Sequence, residues 1–291
     1  MTPFEAAAHA APYTYYSRLR QKKSLFFDTD LGLWVACEAA AVEAILQHPD
    51  CRVRPGHEPV PPAIAHGPAG GVFGKLMRMN EGARHQCPRA VIEPTLMAVP
   101  AQNVATLVCS LVGRVEHSAE GFNGLMFSLP VSVLAALMGF QADQLQTVAR
   151  LTRDFIACLS PLSNASQLRR ADVAANRLGQ MLNTLLNDQL PKSDFLADIC
   201  RACTASNWQD QDALIANLIG VLSQTCEASA GLRSKRRLDR QHACCASTTT
   251  RATQGGDPHS GTGKRADCRD CALRLSCTEH TALRCQAVHH R

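Results

Sequence analysis

The chain has 291 residues, 46% of them apolar, and a formal charge of +5, enough for a substantial core in one large domain or two ordinary ones. No run of about 18 uncharged apolar residues occurs, and the start M-T-P-F-E-A-A-A-H-A has no basic stretch followed by an apolar one. Neither a membrane span nor a secretory leader is therefore expected, and the cytoplasm is the expected location. The charge is unevenly placed: Met1–Leu232 holds 18 Lys/Arg against 20 Asp/Glu, whereas Arg233–Arg291 holds 12 against 5.

In chain order, Ala11–Gln21 reads as a short helix after Pro12, with Tyr13, Tyr16 and Leu19 on one side. The apolar bursts Leu25–Phe27 and Leu31–Cys37 flank Asp28-Thr29-Asp30 and predict a β-hairpin. Glu38–His48 carries Ala41, Val42, Ile45 and Leu46 at helical spacing and stops before Pro49. Arg52–Gly74, punctuated by Pro55, Pro59, Pro61, Pro62, Pro68, Gly56, Gly67, Gly70 and Gly71, predicts a long irregular loop. Further helices are predicted over Ala101–His117, Ala142–Leu159, Gln167–Leu190 and Asp194–Thr204. Between them, Phe122–Phe140 is strongly apolar, with Pro130 where a helix starts or kinks and Gly139 at an end. The fold class is mainly α with one small β-hairpin.

Met79–Leu96, M-N-E-G-A-R-H-Q-C-P-R-A-V-I-E-P-T-L, reads as a helix start with Asn80 as its capping residue. His85 and Arg89 are four residues apart and so share a helix face. Two readings stand: a solvated face, or a pair of cations that grips one anion.

Asp210–Leu232 predicts a helix through the protein centre, because Leu214, Ile215, Leu218, Ile219, Val221 and Leu222 leave almost no polar face. Thr225-Cys226-Glu227-Ala228-Ser229 then puts a carboxylate and two hydroxyls into it. Either the helix emerges into water near Glu227, or the polar breach marks a functional site, since an unpaired buried carboxylate costs several kcal/mol.

Composition changes abruptly at Gly231–Arg233. Residues 233–291 hold 6 of the 14 Cys and 5 of the 11 His, and no Phe, Tyr, Trp, Ile or Met. Such a tail buries too little apolar surface to offset its ordering entropy and is expected to be disordered. Cys268, Cys271, Cys277, His280, Cys285, His289 and His290 could supply a zinc site, but no second C-x-x-C follows at ribbon spacing. Arg233–Arg240 is basic without aromatic interleaving, so nucleic acid is not an expected partner. The favoured explanation is an out-of-frame translation of a GC-rich gene. The domain division is thus 1–232 and 233–291.

The order helix, hairpin, helix, Pro/Gly-rich loop, M-N-x-G-x-x-H-x-x-x-R helix, helical array and long central helix resembles the bacterial cytochrome P450 family of haem-thiolate monooxygenases. The resemblance covers roughly Pro12–Leu232, and F-S-L-P-V-S-V-L-A-A-L-M-G-F (Phe127–Phe140) is part of it. It implies an incomplete cytochrome P450-like fold with haem as cofactor. His85 and Arg89 would bind the haem propionates, the Pro/Gly-rich loop would form one wall of the substrate pocket, and Glu227 would be the catalytic acid of the central helix. Ser229 would supply a hydroxyl where Ala228 replaces the Thr of many members. A small organic substrate and a ferredoxin- or flavodoxin-type electron donor are the implied partners. Pro88 departs from the pattern by falling between His85 and Arg89. Beyond Leu232 neither the family's E-x-x-R helix nor its F-x-x-G-x-x-x-C loop occurs, so the axial Cys ligand is absent. Cys87 and Cys226 lie in other elements and do not inherit that role. The resulting expectation is a truncated chain without monooxygenase turnover, or a haem- or small-ligand-binding module.

Overall fold

A computed structural model of the chain describes residues 2–9, 11–22, 24–113, 119–160, 162–188 and 192–226. Two units are distinguished among them: 2–62 with 159–162, and 63–158 with 163–226. The predicted tail, and with it the domain boundary at 232–233, lies outside the described residues.

The first unit begins with helix α1 (Pro3–Ala8), set by a reciprocal capping box. The Glu5 N–H donates to Thr2 Oγ1 at 3.2 Å and the Thr2 N–H to Glu5 Oε2 at 2.8 Å. Helix α2 (Tyr13–Lys22) follows where predicted, although Tyr13 is exposed rather than on a shared buried side. Strands β1 (Leu25–Asp28) and β2 (Leu33–Ala36) pair antiparallel with Phe27 opposite Trp34. Their rings meet edge to face at 5.5 Å, a cross-strand pair of the kind that pins register. Asp28 Oδ1 accepts the Asp30 and Leu31 N–H groups at 3.1 and 3.0 Å, which turns the chain between the strands. Helix α3 (Ala39–Gln47) ends before Pro49 as expected. None of its residues is buried, and Leu46 is exposed despite its place in the apolar pattern.

In the second unit the first correction concerns the predicted loop. Its last part is helix α4 (Pro68–Lys75), with Gly67 as N-cap and Pro68 at the first turn. Pro is well suited to that position because its missing N–H is one that a helix start leaves unbonded. The glycines that read as loop permit close packing instead: a Cβ on Gly70 would stand 2.0 Å from the Ile64 carbonyl oxygen.

A second correction concerns Asn80, which is not the N-cap of the helix that follows. It follows the tight 3-10 turn Met77–Met79, is buried, and donates from Nδ2 to the Gly74 and Leu76 carbonyls at 3.0 and 2.8 Å. Helix α5 (Ala83–Met97) starts from Gly82, whose φ of 59° lies in the region open mainly to glycine. It runs through Pro88 and Pro94, each removing one backbone donor, without ending at either.

Helix α6 (Ala101–Val112) lays Val104, Leu107, Val108 and Leu111 against Leu125, Leu129 and Val133 of helix α7 (Ala119–Met138). The expected continuation to His117 falls on residues 114–118, outside those described. Pro130 is inside α7 rather than at its start. Gly139, at φ 101°, ends the helix: the Phe140 N–H reaches the Ala135 carbonyl and the Gly139 N–H that of Ala136, both at 3.0 Å, a Schellman closure.

Helix α8 (Leu145–Ile156) buries Leu145, Val148, Leu151 and Phe155, the face predicted for it. Helix α9 (Ala165–Asn187) is capped by Asn164 and buries Leu178 and Leu182, with Leu185 and Leu186 half-buried. Helix α10 (Asp194–Ala205) is capped by Ser193. The final described helix, α11, spans 211–226 and starts where Asp210 Oδ1 accepts the Ala213 N–H at 2.9 Å. Within this unit α8 packs against α7 and α9, α4 against α9, and α10 against α5 and α7. Leu218, Ile219 and Leu222 of α11 are fully buried, which makes it the central helix the sequence predicts. Among the described residues no single helix is long and apolar enough to cross a membrane.

Candidate functional site

The turn between α4 and α5 is locked onto the central helix, and the lock is polar. Asn217, 2% exposed on α11, accepts the Met77 N–H at Oδ1 over 2.6 Å. Its Nδ2 donates to the Lys75 carbonyl at 3.0 Å and to the Ala213 carbonyl of its own helix at 2.8 Å. Both amide protons and the amide oxygen are thus used, as a buried amide requires. Outside this core, Lys75 Nζ meets Asp212 Oδ2 at 2.6 Å. Gly220 lets the turn approach, since a Cβ there would stand 2.7 Å from Leu76 Cδ2.

This turn holds His85. Its Nδ1 lies 2.9 Å from the Met77 carbonyl oxygen, and because a carbonyl only accepts, Nδ1 carries the hydrogen. The same oxygen accepts the Asn80 N–H at 3.1 Å, so both of its lone pairs are engaged. His85 is half-buried and its second nitrogen, Nε2, is the one left to meet a ligand.

Arg89, one turn further on α5, is more than half exposed. Its guanidinium takes Glu93 in a two-point grip, Nε to Oε2 at 2.7 Å and Nη2 to Oε1 at 3.3 Å. That hydrogen bond raises the Arg89 pKa and lowers that of Glu93, with the charge of His85 a smaller contribution on Glu93. Arg89 and His85 are therefore on one helix as the sequence predicts, but each has an internal partner.

Glu227 and Ser229 lie outside the described residues. Helix α11 is described up to Cys226, which is 3% exposed with Sγ 3.7 Å from the Phe127 carbonyl oxygen. The donor set fits carboxylates better than iron. Arg89 offers N–H groups to an anion, and His85 offers one at Nε2 only as the doubly protonated ring, whereas among the described residues no group of three His, Cys, Asp or Glu side chains is placed to hold a metal ion.

Sequence reasoning missed Asn217, Met77 and Glu93. A signal existed for Asn217: it is a polar residue inside the apolar run of Leu214–Leu222, the same breach of pattern noted at Glu227. None existed for Met77, whose contribution is its backbone.

The class of fold is mainly helical, with helices packed in the second unit about the buried α11 and one small hairpin in the first. Among solved structures the chain is similar to bacterial cytochromes P450. Against P450BioI, solved in complex with acyl carrier protein ligated to hexadec-9Z-enoic acid, the TM-score is 0.66 at 16% identity, covering 86% of this chain and 66% of that one. CalO2 gives 0.59 at 16% identity, with 79% and 60% covered. CYP109E1 from Bacillus megaterium, in complex with testosterone, gives 0.58 at 16% identity, with 78% and 59% covered. The chain thus has a cytochrome P450-like fold, and spans about two thirds or less of the length of these structures. No family model and no curated protein matches it.

Proposed function

We propose that this chain is the helical body of a haem-dependent monooxygenase of the cytochrome P450 type, which binds haem through its carboxylates and does not turn over. The observation that carries the reading is the placement of His85 and Arg89 on α5 in a fold of this type, with His85 held by the turn that α11 fixes. The Arg89 guanidinium, and His85 through Nε2 when its ring takes up a second proton together with the carboxylate, would hold the two carboxylates in charge-assisted bonds. Haem, once bound, supplies one-electron and O2 chemistry. In an enzyme of this type with its thiolate ligand, the positions of Glu227 and Ser229 would serve proton delivery, a small organic substrate would occupy the pocket, and a ferredoxin- or flavodoxin-type protein would donate electrons in the cytoplasm; in this chain those roles are idle.

The sequence offers no cysteine in the Phe/Gly loop of the family, and thiolate donation is what favours O–O cleavage in these enzymes. Reconstitution with haemin, reduction and treatment with CO tests the proposal. The expected spectrum is that of a haem complex without the thiolate-type band. A thiolate-type band, or turnover with a reductant, would overturn it.

A further inference from the structure

We propose that a groove between α7 and α8 binds an alkyl carboxylate, at a site separate from His85 and Arg89 and independent of the haem reading. Two cavities lie along these helices. One, of about 270 Å³, is lined by Leu125 and Phe127 of α7 and by Gln146, Arg150 and Arg153 of α8. The other, of about 210 Å³, is lined by Leu129 and Ser132 of α7, Leu145 of α8 and Leu111 of α6. Leu125, Ser128 and Gln146 line both, so the two are neighbouring parts of one groove. Residues early in α7 face residues late in α8, and the reverse, as in an antiparallel helix pair. From Gly124 to Ser132 the groove follows about 12 Å of α7, at the helical rise per residue.

The two ends of the groove differ in chemistry. Arg150 and Arg153 stand at the first end, exposed and one turn apart on a shared face of α8. Arg153 makes no ion pair among the described residues, and Arg150 reaches only Asp154, at 3.8 Å. Arg170 of α9 lies at the same 3.8 Å from that carboxylate, so one anion is shared and the mouth of the groove keeps a surplus of positive charge. The second end is apolar, with Leu129 and Leu145 buried and Leu111 half-buried. A carboxylate matches the guanidinium groups in charge and planar geometry. An alkyl chain behind it would cover the leucines and take them out of water. A small inorganic anion would leave the apolar end wet, and a neutral chain would leave the arginines unanswered.

Equilibrium dialysis of the full chain against radiolabelled decanoate, below its critical micelle concentration and without haemin, tests the proposal. Expected are saturable binding by the unsubstituted chain, no competition by acetate, and competition by decanol about 10-fold weaker than by unlabelled decanoate. Arg150→Gln and Arg153→Gln combined in one chain are expected to weaken decanoate about 10-fold. Arg169→Gln and Arg177→Gln, which remove the same charge from exposed positions on α9, are expected to leave it unchanged. His85→Ala with Arg89→Ala is likewise expected to leave decanoate bound, which separates this site from the haem reading. Absence of saturable binding, equal competition by decanol or acetate, or equal affinity of the Arg150/Arg153 variant would overturn the proposal. An equal loss in the α9 variant would overturn it by showing that net charge, not the groove, holds the acid. Loss of decanoate in the His85/Arg89 variant would overturn it by placing the acid on α5.

Discussion

Asp172 of α9 caps helix α4 from a distance of 103 residues in sequence: its Oδ1 accepts the Ala69 N–H at 3.0 Å. Gly67, the N-cap residue, has no side chain to do this, and a Cβ there would stand 2.2 Å from Asp172 Oδ1. A residue of another helix thus fills the capping role, and the lack of a Cβ makes room for it. The carboxylate also faces the positive end of the helix. Asp172→Ala is expected to lower stability by about 1 kcal/mol, the usual worth of a cap. Urea denaturation measures it; an unchanged midpoint would mean that water replaces the carboxylate without loss.

Gly70 makes the closest approach in this region, to the Ile64 carbonyl oxygen. Gly70→Ala is expected to cost about 1–3 kcal/mol by overpacking against backbone that has no rotamer to yield. The same substitution at Gly71, whose added Cβ would meet nothing within 4 Å, is expected to be tolerated or slightly stabilising. Parallel thermal denaturation of the two variants checks the contrast.

Arg89 must leave Glu93 to bind another carboxylate. Glu93→Gln keeps the side-chain shape, removes the competing charge, and is expected to strengthen haemin binding about twofold, the scale of an exposed helix ion pair. Haemin titration by absorbance reads the change. Equal or weaker binding would show that Glu93 orients the guanidinium rather than competing for it.

Burial pushes the Cys158 thiol from its ordinary 9.0 up to about 12, with Arg78 opposing the shift. Above pH 9 the unfolded chain loses this proton before the folded one does, so the stability present below pH 9 falls as pH rises toward 12. Over three pH units the linked loss is about 4 kcal/mol. Cys158→Ala is expected to flatten this alkaline decline, as measured by urea denaturation at pH 8 and pH 11. The same burial predicts slow alkylation of Cys158 in the folded chain beside fast alkylation of exposed Cys109.

Much of the fold was legible because periodicity reports burial. Leu145, Val148, Leu151 and Phe155 point to one side of α8 in the sequence pattern and are buried in the structure. The hairpin was readable from two apolar bursts around Asp28. Misreadings arose where a residue type has two uses. Gly70 and Pro68 read as loop punctuation, and act instead as a close-packing site and a helix start. Asn80 read as a cap, and instead braces the turn before the helix.

The candidate site was half legible. Spacing alone placed His85 and Arg89 on one helix, because four residues make one turn. Their partners were not readable, since Met77 acts through its carbonyl and Asn217 through a fold-dependent approach across 140 residues. Glu93 was within reach as another i,i+4 neighbour of Arg89, but the pattern does not say which of two anions the arginine takes.

The central claim is that α5 presents His85 and Arg89 to the carboxylates of haem. Equilibrium titration of the full chain with haemin, read at the Soret band, tests it through the pair His85→Ala and Arg89→Ala combined in one chain. Each charge-assisted bond contributes about 1.5–3 kcal/mol, so saturable binding to the unsubstituted chain and affinity weakened by about 100-fold or more in the double variant, which loses both bonds, are predicted. Equal affinity of the two proteins, with both folded by circular dichroism, would contradict the account.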